Sequence, residues 1–398
     1  MRSTVVISAR GEERVRAGHP WIYRADIVDV HADAGDIVEV IGPRRRRIGS
    51  ALFSDRSQIL LRMLTAGDKP AGDGSAADLR ASADTLIRTR IDAAIRVRES
   101  LALDATAYRV VHGEADLLPS LIVDRYGDYL AVQALSQGMD RLLPAITSIL
   151  VDLLKPAGIL ARNDPKVRAL EGLEQTVAVL HGDVPASVVV REGPIEYDVD
   201  MRKGQKTGLF LDQRENHEAA ARYARGRLLD CFSYHGGFAL RLARTCPEAE
   251  ALDISADAVE RIRANATRNG VPHLQAREVN VFDELRRLER SGARYDTIVL
   301  DPPAFAKNKA SIPNAMAGYK EINLRAMRLL NPGGYLVTCS CSYNVNEEMF
   351  AEVIHQASID SQTPVAIVEK RSQGRDHPVL VGVPETHYLK CFILRRVE

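Results

Sequence analysis

Two cysteines and an aspartate at the ends of two predicted strands could together modify a pyrimidine base. Cys339 and Cys341 belong to a Thr-Cys-Ser-Cys-Ser sequence after the fifth strand of a predicted sheet, and Asp301 ends the fourth. A thiolate that adds to C6 of cytosine makes C5 able to attack a methyl group. A carboxylate can hold the N3 and N4 edge of the same ring. The alternative for each thiol is a small buried side chain, the commoner fate of cysteine.

Asp301 opens the sequence Asp-Pro-Pro-Ala-Phe, which ends at Phe305. Rigid Pro-Pro backbone at a strand end can hold carbonyl groups and a carboxylate against a planar base. Such Asp-Pro-Pro sequences are typical of methyltransferases that use S-adenosylmethionine (SAM), and Asp301 and Pro302 are therefore also candidate cofactor contacts. A plain turn is the alternative.

A second group of residues predicts a cofactor site at the same edge of the sheet. The strand that contains Asp230 leads into a turn with Gly236 and Gly237, where small residues leave helix N–H groups pointing at a ligand. Asp253 ends the next strand, where its carboxylate can accept hydrogen bonds from ribose hydroxyls. NAD and SAM enzymes share this layout, but the turn lacks the G-x-G-x-x-G pattern of NAD enzymes; an ordinary strand–helix turn is the alternative. The remaining candidate contacts in this turn are Phe232, Ser233 and Tyr234.

Residues 203–216 form a dense polar run just before the first strand of the sheet. We interpret it as a flap over the cofactor, with Phe210 packing on the ligand. Gln213 or Arg214 would reach the methionine carboxylate, and Asp212 is a further candidate contact in the run. The alternative is the charged start of a helix.

From about residue 190, strands, glycine-rich turns and helices alternate, which predicts a mainly parallel, doubly wound α/β sheet with its ligands beyond the carboxyl ends of the strands. The predicted strands are Leu228–Asp230, Glu250–Asp253, Thr297–Asp301 and Tyr335–Cys339, and the predicted helices are Ser255–Asn269 and approximately 314–330. Asn331–Gly334 is predicted to turn into the last strand.

The first 190 residues have a different organisation. Short apolar runs to about residue 65, with Arg44 to Arg47 between two of them, predict a small β-domain with a basic hairpin, either an RNA phosphate contact or a solvated turn. Residues 67–75 read as a linker. A helix over 83–101, strands at 121–124 and 129–133 and a helix near 139–154 predict a middle α+β domain. We expect domains at 1–68, 76–188 and 189–398.

Composition limits the class of protein. The 398 residues carry 53 basic and 53 acidic side chains, so the chain does not coat nucleic acid uniformly, although a local basic face is possible. The acidic N-terminus and the absence of a long apolar run predict a cytoplasmic protein. Five cysteines without paired spacing fit neither a disulfide framework nor a zinc site, and we expect no metal.

Together these motifs resemble the bacterial ribosomal large-subunit RNA cytosine-5 methyltransferases of the class I SAM-dependent type. The resemblance spans nearly the whole chain and begins at His19–Tyr23, which is similar to the start of the family's PUA domain. It implies an N-terminal PUA domain that helps bind RNA, a middle α+β domain and a C-terminal Rossmann-like catalytic domain, usually in a homodimer. It also implies SAM as cofactor and 23S rRNA, or a large ribosomal subunit precursor, as partner.

The resemblance also carries roles to particular residues. Cytosine recognition falls on Asp301 and the nucleophile on Cys339, with Cys341 as the alternative. The family's SAM contacts fall on Phe210, Gln213, Asp230, Ser233, Gly236, Gly237 and Asp253.

Two positions differ from what this family usually carries, and a third departure is shared with the family itself. His235 replaces a threonine, which would alter a rim contact. Asn280 replaces an acidic residue that faces the adenine amine, and its carbonyl can still accept that hydrogen bond. Ala304 occupies the place where other RNA cytosine-5 methyltransferases have a second cysteine, so the base that removes the C5 proton is unassigned.

Three other functions compete with this one. A methyltransferase of an exocyclic amine, guanine N2 or adenine N6, would need no thiol, but such enzymes generally place an aromatic residue directly after the second proline. An NAD-dependent oxidoreductase is disfavoured by the turn and by Asp-Pro-Pro. The third is an RNA-binding assembly protein that keeps SAM only as a structural ligand.

Overall fold

The computed structural model describes residues 3–67, 76–306 and 308–398. Packing divides the chain into two units, and neither unit is continuous in sequence. The first contains Met1–Val190, Val199–Leu211 and Arg375–Thr386, and the second contains Arg191–Asp198, Asp212–Gly374 and His387–Glu398. The segment Arg375–Thr386, which the sequence groups with the C-terminal domain, thus packs within the first unit.

The N-terminal part of the first unit is a β-sheet with a short helix, α1 (Ala9–Arg16). Its strands are β1 (Thr4–Ile7), β2 (Trp21–Tyr23), β3 (Ile27–His31), β4 (Ile37–Ile41), β5 (Arg47–Phe53) and β6 (Ile59–Ala66), in the order β2-β6-β5-β4-β1-β3. β4 and β5 pair antiparallel, and the arginine run stands at their turn, so the predicted basic hairpin is confirmed. Arg44 and Arg45 both have left-handed backbone there, with φ of +61° and +56°.

The middle part of the first unit is an α+β layer, as predicted. It contains the strands β7 (Ala107–His112), β8 (Leu121–Tyr126), β9 (Tyr129–Ala134), β10 (Gly158–Asn163) and β11 (Thr176–Gly182), ordered β11-β10-β9-β8-β7, and the helices α2 (Ala76–Ser100), α3 (Gln137–Leu154) and α4 (Val167–Leu170). Apolar residues recur on one face of α2, where Ala83, Ile87 and Ile91 are buried. β12 (Val188–Glu192) pairs with β13 (Ile195–Val199).

The N-terminal sheet and the middle layer share one hydrophobic core. Leu52 and Leu64 of the sheet pack in the same cluster as apolar residues of α2 and α3. Arg62 and Glu171 add a buried ion pair with a 2.8 Å contact. Of the predicted linker, only Gly67 is within the described residues, so the structure describes nothing of 68–75.

The sheet of the second unit is mainly parallel, as predicted. Its strands are β14 (Arg227–Cys231), β15 (Glu248–Asp253), β16 (Leu274–Glu278), β17 (Tyr295–Leu300), β18 (Leu330–Ser340), β19 (Val365–Arg371) and β20 (Lys390–Arg396), in the order β16-β15-β14-β17-β18-β20-β19. Its helices are α5 (Arg214–Ala221), α6 (Gly237–Leu242), α7 (Ala256–Arg268), α8 (Val281–Arg290), α9 (Ile312–Leu329) and α10 (Glu347–Ser361). The chain reverses its direction across the sheet between β14 and β17, and α/β sheets bind ligands at such a point.

Two features of this sheet were not predicted. Residues 331–334, expected as a turn, form a bulge inside β18, because the pairing jumps from Tyr295–Leu330 to Thr297–Tyr335. β20 is antiparallel to both β18 and β19. The fully buried residues Ile298 and Leu300 of β17 join a large apolar cluster, and burial of each such side chain contributes about 1.5–3 kcal/mol.

Two negative findings concern the described part of the chain alone. None of its helices combines the length and the apolar character that a bilayer crossing requires. In these same residues, no group of three or more His, Cys, Asp or Glu side chains is arranged to hold a metal ion.

Candidate cofactor and active site

The parallel strands bring the predicted site residues to one edge of the sheet. β14 pairs in parallel with β15 and with β17, and β17 pairs in parallel with β18. Asp253 ends β15, Asp301 directly follows β17 and Cys341 directly follows β18. Asp230 lies one residue before the end of β14. The predicted convergence of these residues is therefore present in the structure.

The turn after β14 is held in unusual backbone conformations. Phe232, Tyr234 and Gly236 all have left-handed backbone, with φ of +62°, +53° and +89°. For residues with a side chain such conformations cost roughly 1–3 kcal/mol each and concentrate at functional sites. Gly237 is required for space, because a Cβ there would lie 2.5 Å from Cε1 of His217. The turn follows a tight path that leaves the start of α6 free of side chains at two positions.

Asp230 is a buried carboxylate with one oxygen satisfied and one not. Oδ2 accepts the Ser233 hydroxyl at 2.6 Å and the Ala239 N–H at 3.0 Å, whereas Oδ1 is buried without a hydrogen-bond partner. Burial, with a smaller contribution from the negative charge of Asp301, raises the pKa of Asp230 to about 7 against the lowering effect of the hydrogen bond from Ser233. A buried acceptor without a donor costs free energy, so this oxygen is suited to a ligand that donates.

Asp253 has both oxygens directed at backbone near the same turn. Oδ2 accepts the N–H of Tyr234 at 2.8 Å and Oδ1 accepts that of Ser255 at 2.9 Å. Each carboxylate oxygen can accept a second hydrogen bond, so both remain able to bind ribose hydroxyls. Together with the Gly236–Gly237 turn and the unsatisfied oxygen of Asp230, this donor and acceptor set fits a nucleoside cofactor such as SAM.

The structure adds contacts for two further residues of this region. Asn280 caps α8, and its Oδ1 accepts the N–H groups of Phe282 and Asp283; its contact with the adenine amine stays a prediction. His235 is buried rather than at a rim. Its ring lies 5.4 Å from that of Tyr197, and burial lowers its pKa to about 3.

Gln213 contacts Asp301, and its amide has both ends engaged. Its Nε2 donates to Oδ1 of Asp301 at 2.9 Å, and its Oε1 accepts Nδ2 of Asn216 at 2.7 Å. Arg371 donates from Nε to Oδ1 of Asn216 at 2.9 Å. The chain of hydrogen bonds therefore runs from Arg371 to the carboxylate that was expected to bind cytosine. The expected contact of Gln213 with the methionine carboxylate stays a prediction.

The other residues of the polar run have separate positions. Phe210 belongs to the first unit, where the Nζ of Lys206 lies 4.5 Å from its ring centre. Asp212 is buried in the second unit and accepts the Tyr388 hydroxyl at 2.6 Å. Arg214 is the first residue of α5, so the end of the run is a helix start, the alternative that the sequence left open.

The two thiols differ in exposure. Cys339 lies inside β18 opposite Cys391, is fully buried, and its pKa is raised well above the ordinary thiol value by burial and by Cys391. Cys341 lies beyond the strand and is half-buried, with Sγ 3.8 Å from the carbonyl oxygen of Pro302. Reactive thiols need access and stabilisation of the thiolate. Cys341 is therefore the more accessible of the two candidate thiols, whereas Cys339 is the one that the resemblance implied.

Sequence reasoning missed Asn216, Arg371 and Lys390. Asn216 lies within the polar run and could have been proposed from its spacing. It follows Gln213 by three residues, and side chains three apart on a helix are neighbours. Arg371 and Lys390 belong to β19 and β20, far along the chain and outside any motif. No local signal indicated either of them.

Comparison with known proteins agrees with this geometry. Residues 5–66 match the family described as a PUA-like domain, and residues 172–379 match the family described as an S-adenosylmethionine-dependent methyltransferase. Two solved structures cover 98% of this chain: SMU.776, a candidate methyltransferase complexed with SAH, with a TM-score of 0.82 at 19% identity, and a candidate SAM-dependent methyltransferase from Streptococcus mutans, with a TM-score of 0.81 at 18% identity. At these identities the likeness shows the fold. The predicted PUA-like and class I methyltransferase folds and the SAM cofactor are confirmed.

Two full-length relatives are more similar in sequence. The ribosomal RNA large subunit methyltransferase I of Shewanella denitrificans is 38% identical, with 97% of each chain covered. The protein of the same name from Tolumonas auensis is 37% identical, with 100% of each chain covered. With this identity over the whole length, and with both domain families matched, the chain belongs to the SAM-dependent ribosomal RNA large subunit methyltransferase I family.

Proposed function

We propose that this protein methylates C5 of a cytidine in large-subunit (23S) ribosomal RNA through a transient bond between a cysteine and C6 of the base. The rRNA substrate is inferred from the relatives, whose names describe large-subunit rRNA methyltransferases. The observation that carries the C5 chemistry is the half-buried thiol of Cys341 beside Pro302, the residue that follows Asp301. A thiol and a carboxylate are the two groups that this reaction needs.

The mechanism assigns distinct tasks to these side chains. The cytidine must leave its stack, because C5 and C6 are otherwise out of reach. Asp301, oriented by Gln213, accepts a hydrogen bond from the cytosine amino group. The Cys341 thiolate adds to C6, and the electron pair of the C5–C6 double bond makes C5 nucleophilic. Bound SAM supplies the electrophilic methyl group. Loss of the C5 proton then breaks the sulfur–C6 bond and restores the thiolate.

The exocyclic-amine alternative finds less support at the same site. Its usual aromatic residue stacks on the base directly after the second proline. Here Phe305 comes one residue later and packs against other rings, with ring centres 4.6 Å from Tyr319 and 5.9 Å from Phe282. Phe305 thus contributes to the protein core at a place where the alternative needs a stacking surface.

The resemblance further leads us to propose a homodimer that acts in the cytoplasm, with functional boundaries at 1–68, 76–188 and 189–398. We propose that the N-terminal part, which matches the PUA-like family over residues 5–66, helps bind the RNA. Sedimentation of the purified chain tests the dimer directly.

The deciding experiment identifies the methylated nucleoside. Unmodified large-subunit rRNA and, separately, precursor ribosomal particles are incubated with the protein and labelled SAM, digested and analysed by mass spectrometry. We expect 5-methylcytidine, and none with the Asp301→Ala variant, which lacks the carboxylate that holds the base. Methylated guanosine or adenosine would instead support the exocyclic-amine function. No methylated nucleoside from either substrate would support the assembly protein.

A further inference from the structure

Lys390 is a buried lysine beside the loop that carries Cys341. It begins β20, opposite Ser340 of β18, and is 3% exposed. Its Nζ donates to the carbonyl oxygen of Ser342 at 2.7 Å and to that of Tyr388 at 2.9 Å. Among the described residues, no carboxylate lies within ion-pair distance of this nitrogen. Buried lysines are rare unless they are paired with an opposite charge, so two neutral carbonyls are an unusual set of partners.

The hydrogen bonds of Lys390 are compatible with both of its protonation states. A neutral amine has two N–H donors, which the two carbonyls use, and one lone pair that can take up a proton. An ammonium has a third N–H to offer. Burial lowers the pKa of Lys390 to about 8, while negative charge on Cys341 and on Glu347 opposes this fall. Protonation of Lys390 is therefore coupled to ionisation of Cys341.

We propose that Lys390 activates Cys341: it fixes the backbone of the Cys341–Ser342 loop and takes up the proton of the Cys341 thiol. In this step the S–H bond breaks, an N–H bond forms on Lys390, and the electron pair stays on sulfur. The products are a thiolate and an ammonium, with no other reactant. The sulfur is then ready to add to C6, so this inference rests on the proposed function and deepens it.

The other ionisable groups near Lys390 do not replace Cys341 in this role. Glu347 begins α10 and pairs with Lys370 of β19 at 2.8 Å, so its charge is shared with a second lysine. The Tyr388 hydroxyl donates to Asp212. Cys339 is buried and its pKa is raised, which makes it a poor proton donor. The acid that remains is Cys341, which is half-buried and directly precedes Ser342, whose carbonyl Lys390 binds.

The test measures the reactivity of Cys341 directly, without RNA or SAM. The full-length protein is alkylated with iodoacetamide at a series of pH values, and the rate at Cys341 is followed by peptide mass spectrometry. The other four cysteines are buried, so Cys341 is expected to react first. In the wild-type protein we expect the midpoint of the rate–pH curve to lie below the ordinary thiol value of about 8.5.

Three variants separate this role from a structural one. In Lys390→Met we expect the midpoint to rise by about one pH unit and the alkylation rate at pH 7 to fall roughly tenfold. Lys390→Arg keeps a positive charge that stabilises the thiolate but cannot take up its proton, so its midpoint should lie no higher than that of the wild type. Lys320→Met is the matched control, because Lys320 pairs with Asp360 on the helical side of the unit; it should change nothing.

The outcomes distinguish this inference from the proposed function. A wild-type midpoint at or above about 8.5, or an unchanged midpoint in Lys390→Met, overturns the role of Lys390 even if 5-methylcytidine is formed. The wild-type measurement stands even if the Met variant does not fold. A lowered midpoint that depends on Lys390, together with a methylated purine as product, would support thiol activation while refuting the cytosine-5 function.

Discussion

At the scale of single residues, the two neighbouring cysteines provide the sharpest contrast. A serine hydroxyl is a far weaker nucleophile than a thiolate, so we expect Cys341→Ser to lose at least about 10³-fold in 5-methylcytidine formation, as removal of a nucleophile generally does. Cys339→Ser should keep most of the activity, because Cys339 is fully buried in β18. Single-turnover methylation of large-subunit rRNA measures both.

The same pair of variants contains its own control. Cys339 and Cys341 differ by two positions, and both substitutions replace sulfur with oxygen. If Cys339→Ser lost activity while Cys341→Ser kept it, the order implied by the family resemblance would be restored. The melting temperature of each variant shows whether a loss of activity reflects unfolding.

A second residue-scale prediction concerns the hydrogen bond between Gln213 and Asp301. Gln213→Leu removes this bond and the bond from Asn216 Nδ2 to Gln213 Oε1, while Nδ2 keeps the carbonyl oxygen of Ser372 as an acceptor. We expect kcat for methylation to fall by about 10–100-fold, since small displacements of a positioning group have effects of this size. The dissociation constant for SAM, measured by calorimetry, should change little.

The control for this variant is Gln356→Leu on α10, where Nε2 of the glutamine donates to the exposed Glu352 at 2.8 Å. The reverse pattern, weaker SAM binding with an unchanged kcat, would support the predicted contact of Gln213 with the methionine carboxylate. The two roles of Gln213 therefore predict different results: a lower kcat if Gln213 orients Asp301, and weaker SAM binding if Gln213 contacts the methionine carboxylate.

At the scale of elements, burial of Asp230 in the strand–turn–helix unit at β14 makes the stability of the folded protein depend on pH. Asp230 has a pKa of about 7 in the folded protein, because burial disfavours its charged form, against about 3.9 in an unfolded chain. Between these values the folded state binds more protons than the unfolded state. The contribution of Asp230 to stability is therefore fully present below about pH 4 and is lost as the pH rises through about 7.

Asp230→Asn should abolish this dependence. An asparagine oxygen can still accept the bonds from Ser233 and Ala239 and carries no charge. We expect the variant to gain stability relative to the wild type as the pH rises from 5 to 8, by at most a few kcal/mol. Thermal unfolding without SAM at each pH measures the difference.

Two comparisons secure this result. Burial lowers the pKa of His235 to about 3, which makes both proteins lose stability as the pH falls below about 6.5; because both contain His235, its effect cancels in the difference. Asp257→Asn, at an exposed position of α7, is the surface control for the same substitution and is measured over the same pH range. If the difference in stability between Asp230→Asn and the wild type did not change with pH, the raised pKa of Asp230 would be contradicted.

Elements were predicted well where the sequence has a local signal. The parallel strands are short apolar runs closed by polar turns, as in the Ile298–Leu300 run before Asp301, and so their ends and the acidic residues on them could be located. β19 was not among the predicted strands, because its short apolar run, Val365–Val368, continues into charged residues instead of a polar turn. The bulge at 331–334 depends on pairing with β17, and pairing is a property of the folded sheet.

The same distinction explains which site residues were found. Asp230, Asp253 and Asp301 follow from strand ends. The amide orientation of Gln213, the capping role of Asn280 and the burial of Cys339 depend on groups that packing brings together. Lys390 is nearly 50 residues from the cysteines in sequence and meets their loop only through the antiparallel pairing of β18 with β20.

At the scale of the whole molecule, RNA binding has to arise from local charge, because the 53 basic and 53 acidic residues cancel. The exposed side chains of Arg44 and Arg45 stand at the tip of the β4–β5 hairpin, whereas Arg47 is paired with Glu39 at 2.6 Å. Arginines that contact phosphates release counterions, which makes the affinity depend on salt. The hairpin tip is therefore where we expect a salt-dependent contribution to rRNA affinity.

Replacing both tip arginines with asparagine tests this contribution without disturbing the turn, because asparagine tolerates the left-handed backbone found at both positions. For two phosphate contacts we expect the slope of log affinity against log salt to fall in magnitude by about 1.5, since each contact contributes roughly 0.7–0.9. Filter binding of a large-subunit rRNA fragment at several salt concentrations gives the slope. The double variant Arg88→Gln and Arg96→Gln on α2 removes the same charge from arginines already paired with Asp152 and Asp92, and its slope should match the wild type. Equal slopes in both double variants would make the hairpin a solvated turn and would move the search for the RNA contact to the other arginines of the chain.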